Sequence, residues 1–144
     1  MAQETRCGVS RKPKRTANVG RATRGVTFDT GMLVALERRH AGALALLRAC
    51  RLSRATITIP AAVVAEWWRG THRALLESGR VEALTPELAE RAGELLASTG
   101  GSNAVDATVV ASAALRGDLV ITGDEHDLRE LAELVSGVTV ERLR

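Results

Sequence analysis

The sequence predicts an α/β fold, a three-layer α/β/α sandwich with a mostly parallel central sheet. Short β-branched and apolar runs alternate with stretches rich in Ala, Leu and Arg, often two helices to a crossover. The runs that precede helices are short and apolar, as strands covered on both faces must be. A chain of 144 residues suits one domain around one core, and no internal repeat or second domain is visible.

Taken in order, Gly25–Asp29 reads as the first strand. Met32–Arg39 and Ala43–Leu52 read as helices, with His40-Ala-Gly42 as the joint between them. Thr56–Ile59 alternates β-branched residues with Thr and reads as the second strand. Pro60 suits the first turn of the helix Ala61–Arg69, which Gly70 ends. Thr71–Ser78 is helical, and Gly79 leads into a short strand, Val81–Leu84. Thr85-Pro86-Glu87 starts a helix by capping and by proline placement, and it runs to about Ser98. A Gly-rich turn, Thr99–Ser102, precedes Ala104–Arg116, which is apolar almost all round and therefore a buried helix. Gly117-Asp118 turns the chain into the strand Leu119–Thr122. Glu125–Leu134 is an amphipathic helix, and Val138–Leu143 a last, edge strand.

Charge is unevenly spread. Residues 1–24 hold seven Lys/Arg and one acid, Glu4, a net +6; residues 25–144 hold thirteen Arg and sixteen acids, a net −3. The expected organisation is a basic, disordered N-terminal tail over 1–24 and a folded domain over 25–144. Aromatics are only Phe28, Trp67 and Trp68, which argues against an RNA-recognition sheet paved with rings. Cys7 and Cys50 have no zinc or redox spacing, so reduced thiols in a cytoplasmic chain are the default expectation. No apolar run approaches the ~20 residues of a membrane helix, and the N-terminus lacks a signal-peptide core.

Four acids stand out. Asp29 ends the first strand, Asp124 lies just beyond Leu119–Thr122, Asp106 sits in the first turn of the helix feeding that strand, and Glu66 lies in the helix after strand two. If the first strand and Leu119–Thr122 are central neighbours, the acids converge beyond the carboxyl ends of the strands, where open α/β sheets bind ligands. Each of the three aspartates also has a bland reading: Asp29 as a helix cap, Asn103-Ala-Val-Asp106 and Asp124-Glu-His-Asp127 as capping boxes. No cap explains Glu66, late in an apolar helical run. Two carboxylates ~4 Å apart repel by roughly 4 kcal/mol at an effective dielectric of 20. A divalent cation relieves this, and an all-oxygen site selects Mg²⁺ or Mn²⁺.

The only lysines, Lys12 and Lys14, lie in the tail. A phosphate-binding P-loop needs its Lys, and no G-x-x-x-x-G-K is present. Response-regulator receivers and haloacid-dehalogenase-like phosphatases, as families, also rely on a Lys that this domain cannot supply.

The order F-D-T-G-M-L, V-V-A-E, A-V-D-A-T-V-V-A-S-A and V-I-T-G-D-E-H-D-L resembles a PIN domain, more narrowly the VapC toxins of bacterial type II toxin–antitoxin pairs, over about residues 25–144. The resemblance implies a Mg²⁺-dependent endoribonuclease that hydrolyses a phosphodiester with a metal-activated water and leaves 5′-phosphate and 3′-hydroxyl ends. It carries the family's acids onto Asp29, Glu66, Asp106 and Asp124, with Asp29, Asp106 and Asp124 as metal ligands and Glu66 on metal or on the attacking water. Asp127 matches a further acid and Thr122 a site-steadying hydroxyl. Asn103 departs from an extra acid found in several relatives. The implied partners are RNA, a cognate antitoxin protein and a second copy in a homodimer. Trp67 and Trp68 suit core, subunit packing or base stacking; Arg38, Arg39, Arg69 and Arg73 suit a solvated face or phosphate; His40, His72 and His126 form no triad. Two other readings are a non-catalytic PIN-like module that binds RNA or protein, and a structure-specific DNA nuclease.

Overall fold

The structure, a computed structural model, describes residues 24–100 and 103–144. The basic tail expected over 1–24 therefore lies outside the described residues except for Arg24. Among the described residues five strands form one sheet: β1 (Val26–Phe28), β2 (Ile57–Pro60), β3 (Arg80–Glu82), β4 (Leu119–Thr122) and β5 (Thr139–Arg142). Their spatial order is β3-β2-β1-β4-β5, and every pair is parallel. β1 lies between β2 and β4, with Val26 opposite Leu119 and Phe28 opposite Ile121. Parallel neighbours need crossovers, and crossovers are right-handed. The run β1 to β3 moves across the sheet one way and β4 to β5 the other, so helices cover both faces in a three-layer α/β/α sandwich.

Six α-helices of the described residues make the outer layers: α1 (Thr30–Glu37), α2 (Ala41–Ser53), α3 (Ala61–Trp67), α4 (Pro86–Thr99), α5 (Ala104–Arg116) and α6 (His126–Ala132). Side chains start three of them as the sequence suggests. Thr85 accepts from the Leu88 amide ahead of Pro86, Asn103 from the Val105 amide, and Asp29 from the Met32 amide. α2 begins at His40, whose Nδ1 accepts from the Ala43 amide. α5 is the central helix, buried continuously from Ala107 to Ala113 and packed on β1, β2 and β4 with α4 and α6 against it. Phe28, Met32, Leu33, Ile59 and Ile121 fill the core. Burial of each such side chain contributes about 2 kcal/mol.

Boundaries differ from expectation where tertiary contacts intervene. α3 ends at Trp67, not Arg69, because Trp68 is already extended and Gly70 and His72 take left-handed backbone angles. The helical stretch expected over Thr71–Ser78 is a 3₁₀ helix from Arg73 to Ser78. β3 starts one residue early and ends at Glu82, since its partner β2 ends at Pro60 and leaves Ala83 and Leu84 unpaired.

Candidate functional site

Between β1 and β4 the direction of strand progression reverses, and the helices that follow diverge, leaving a crevice above the carboxyl ends of the strands. Asp29 follows β1 directly, Thr122 ends β4, and Asp124 comes just after it. α5 leads into β4, so its first turn, which carries Asp106, opens at the same rim. Glu66 projects from the last turn of α3 and Asp127 from the first turn of α6. All six of these sequence-predicted residues line one cavity of ≈ 290 Å³, together with Thr30, Gly31 and Val34.

Asp29 serves as a cap and as a cavity wall at once. Its Oδ1 accepts the Met32 amide at 2.8 Å, yet the residue is only 6% exposed and turned to the cavity. The Thr122 hydroxyl donates to the Asp124 carbonyl at 2.7 Å and accepts the Asp124 amide at 3.0 Å, which fixes the turn after β4. The same hydroxyl stands against Asp29 and favours its charged form; its single proton serves one oxygen at a time. Asp124 also accepts the His126 amide at 3.3 Å. Asn103, where an extra acid was the alternative, donates to Glu66 Oε2 at 3.4 Å. Of the two capping boxes expected, α5 has the Asn103 cap, but Asp106 makes no hydrogen bond back to it among the described residues.

Burial pushes the Asp29 carboxyl up to about 6 against the pull of Thr122 and the Met32 amide, with the charges of Asp106 and Glu66 adding to the rise. Burial likewise pushes Asp106 up to about 6, reinforced by Glu66, Asp127 and Asp124. Five carboxylates thus share one cavity, and among the described residues no basic side chain lines it. Two further details come from residues adjacent to Asp29 that the sequence reading passed over. The Thr30 Oγ1 is buried with no hydrogen-bond partner among the described residues. A side chain at Gly31 would begin 3.0 Å from the Gly123 nitrogen and 3.4 Å from Asp29 Oδ1, so glycine keeps the space beside that carboxylate open.

The donor set fits a hard divalent cation: all oxygen, acid-rich and without its own counter-charge. Among the described residues no three His, Cys, Asp or Glu side chains stand close enough to enclose one ion. Mg²⁺ in such sites usually keeps several waters and takes one or two carboxylates directly.

Trp67 is 6% exposed, and its Nε1 donates to Glu37 Oε2 at 2.9 Å, so this ring is core and available to neither RNA nor a partner chain. Trp68 is partly buried against the same core. His72 pairs with Glu37 at 3.5 Å when protonated, and Arg38, Arg39, Arg69 and Arg73 are exposed.

The profile of the PIN domain family matches residues 26–134. The chain belongs to the PIN domain family. Among solved structures, VapBC2 from Rickettsia felis bound to a promoter DNA fragment is similar at 15% identity and a TM-score of 0.65, over 83% of this chain and 98% of that one. A toxin–antitoxin complex from Klebsiella pneumoniae is similar at 22% identity and a TM-score of 0.62, over 80% and 96%. FitAcB from Neisseria gonorrhoeae is similar at 16% and 0.60, over 80% and 95%. At these identities the likeness is one of fold. No curated protein matches the chain by sequence.

Proposed function

We propose that this chain is a divalent-metal-dependent endoribonuclease, the toxin of a toxin–antitoxin pair, working in the cytoplasm. The observation that carries the reading is the cavity at the reversal point of the sheet, with five carboxylates and no basic side chain among the described residues. The structures of toxin–antitoxin complexes with this fold support an antitoxin partner. A homodimer fits the same reading, with Trp68 rather than the buried Trp67 as its aromatic candidate.

In this reading Asp29, Asp106 and Asp124 would hold Mg²⁺ directly or through water, with Mn²⁺ an alternative. When bound, the ion supplies an acidified water and stabilises charge on the phosphate and leaving oxygen. Glu66 has one oxygen tied to Asn103 and the other, Oε1, left to orient the attacking water and take its proton. Thr122 holds the Asp124 turn and steadies Asp29. Asp127 adds charge at the mouth, and the unpartnered Thr30 hydroxyl offers a hydrogen bond to water inside. The water oxygen bonds to phosphorus as the P–O3′ bond breaks, and the departing 3′-oxygen takes a proton from solvent, which leaves 5′-phosphate and 3′-hydroxyl ends.

The domain over residues 25–144 is proposed to suffice. Arg24 belongs with it, because its guanidinium donates to the Gly117 and Gly137 carbonyls at 2.8 Å each, so a truncation should remove residues 1–23 only. The test incubates labelled RNA and DNA with the full chain and with this truncated chain, in Mg²⁺ and in EDTA. Both chains are expected to cut RNA in Mg²⁺ alone. Cleavage in EDTA, preference for DNA, or RNA bound intact in Mg²⁺ would each contradict the reading.

A further inference from the structure

Surface charge on α4 and α6 is mixed. α4 interleaves Glu87, Glu90, Arg91 and Glu94, and at α6 Arg129 pairs with Glu125 at 2.7 Å. α2 is different. From Arg38 to Ala65 the chain carries no acid. α2 and its C-cap present Arg48, Arg51 and Arg54, all exposed, and none of these side chains makes a hydrogen bond or ion pair among the described residues. Proximity to the helix C-terminus favours Arg51 and Arg54, but Arg48 lies outside the last turn and gains little from it.

This basic face connects to the acidic cavity. β5 aligns Arg142 with Thr122, a cavity residue, one strand spacing of about 4.8 Å away. The chain end then packs on the first turn of α2: a Cβ at Gly42 would stand 2.1 Å from the Arg144 carbonyl, so only glycine fits there. From Gly42 the helix carries Arg48 about 9 Å and Arg54 about 18 Å along its axis at the usual rise per residue. Arg142 and Arg144 therefore lead from the cavity rim to the first turn of α2, with Glu141 beside that junction, and Arg48, Arg51 and Arg54 continue across the exposed side of the helix.

We propose that this path is a phosphate track for a single-stranded RNA whose scissile bond lies in the acidic cavity; the proposal rests on the nuclease reading. Five carboxylates repel a polyanion, and an ion in the cavity offsets that only locally, so flanking phosphates need positive charge elsewhere. RNA is favoured over an acidic protein because protein interfaces centre on buried apolar surface, and Leu52 is the one large apolar side chain exposed on α2.

The test measures single-stranded RNA affinity against salt in an Asp29→Asn background, for the full chain and for the same chain with Arg48→Ser, Arg51→Ser and Arg54→Ser. At about 0.7 per phosphate neutralised, the log–log slope of the triple variant is expected to be shallower by about 2. The corresponding triple Arg→Lys variant keeps the charge and is expected to keep the slope. An unaltered slope in the Ser variant overturns the track and leaves the nuclease reading intact. Failure of the parent chain to bind RNA at all overturns both. An unaltered RNA slope with lost salt-sensitive binding of poly-glutamate assigns the face to an acidic protein and also overturns the track.

Discussion

Asp29→Asn is expected to lower RNA cleavage more than about 100-fold, beyond what loss of an outer-shell partner costs, while making the metal-free protein more stable at neutral pH. The two effects share one cause. The Asp29 carboxyl ionises near 3.8 in an unfolded chain and at about 6 in the folded one. Below about pH 4 it is protonated in both states and burial is tolerated. As pH rises through 6, the folded chain must carry a buried charge, so stability falls over that interval and stays lower above it. The shift from 3.8 to about 6 corresponds to about 3 kcal/mol. Asn keeps the oxygen that accepts the Met32 amide, so the cap on α1 survives. Asp29→Ala loses that cap and is expected to gain about 1 kcal/mol less. Asp106→Asn and Asp124→Asn are expected to lose cleavage likewise. Thermal melts between about pH 4 and 8 in EDTA, beside single-turnover cleavage, check this. Full activity in any of the three Asn variants would contradict the assignment.

The largest expected loss of stability lies away from the cavity. Arg116, at the end of α5, donates through Nε to Asp118 at 2.9 Å and through its terminal nitrogens to Glu82, Ser112 at 2.8 Å and Thr27 at 3.2 Å. Thr27 in turn donates to Asp118 at 2.8 Å, and Ser112 to Glu82 at 2.6 Å. The group ties β1, β3, α5 and the turn into β4 together, with Asp118 2% exposed. Arg116→Met leaves two carboxylates without their cation; removal of one partner from a fully buried pair costs about 3–5 kcal/mol, and because Arg116 and Glu82 are 23% and 18% exposed the expected cost is about 2–3 kcal/mol. Urea unfolding near neutral pH is expected to show a midpoint shift of that size. A shift under about 1 kcal/mol would place this network among surface ion pairs instead.

Much of this architecture was legible because strong local signals agree with the fold. Val26–Phe28 is β-branched or aromatic throughout and stops at a carboxylate, Asn103 and Thr85 cap where the apolar patterns begin, and the run from Ala107 to Ala113 is buried as its composition demands. The parallel pairing of β1 with β4 then brings together acids nearly a hundred residues apart, and the order of short motifs was the signal for it. The end of α3 was not legible, because it depends on Trp67 reaching Glu37 on another helix. Nor was the Arg116 network: Arg116-Gly117-Asp118 reads locally as a helix end and turn, and only the register of β2 with β3 brings Glu82 to it. Thr30 and Gly31 sit in plain view beside Asp29, but a buried unpartnered hydroxyl and a space closed to a Cβ are facts of three dimensions.

The central claim is that these clustered acids are a divalent-cation site. Calorimetric titration of Mg²⁺ into the metal-free chain tests it most directly, because it needs no RNA substrate. At about pH 7.5 a saturable binding event is predicted, weaker at about pH 5.5 where Asp29 and Asp106 are mostly protonated. It should vanish when Asp29→Asn and Asp106→Asn are combined. Binding that is the same in the combined variant, or no binding by the parent chain at millimolar Mg²⁺, would contradict the account.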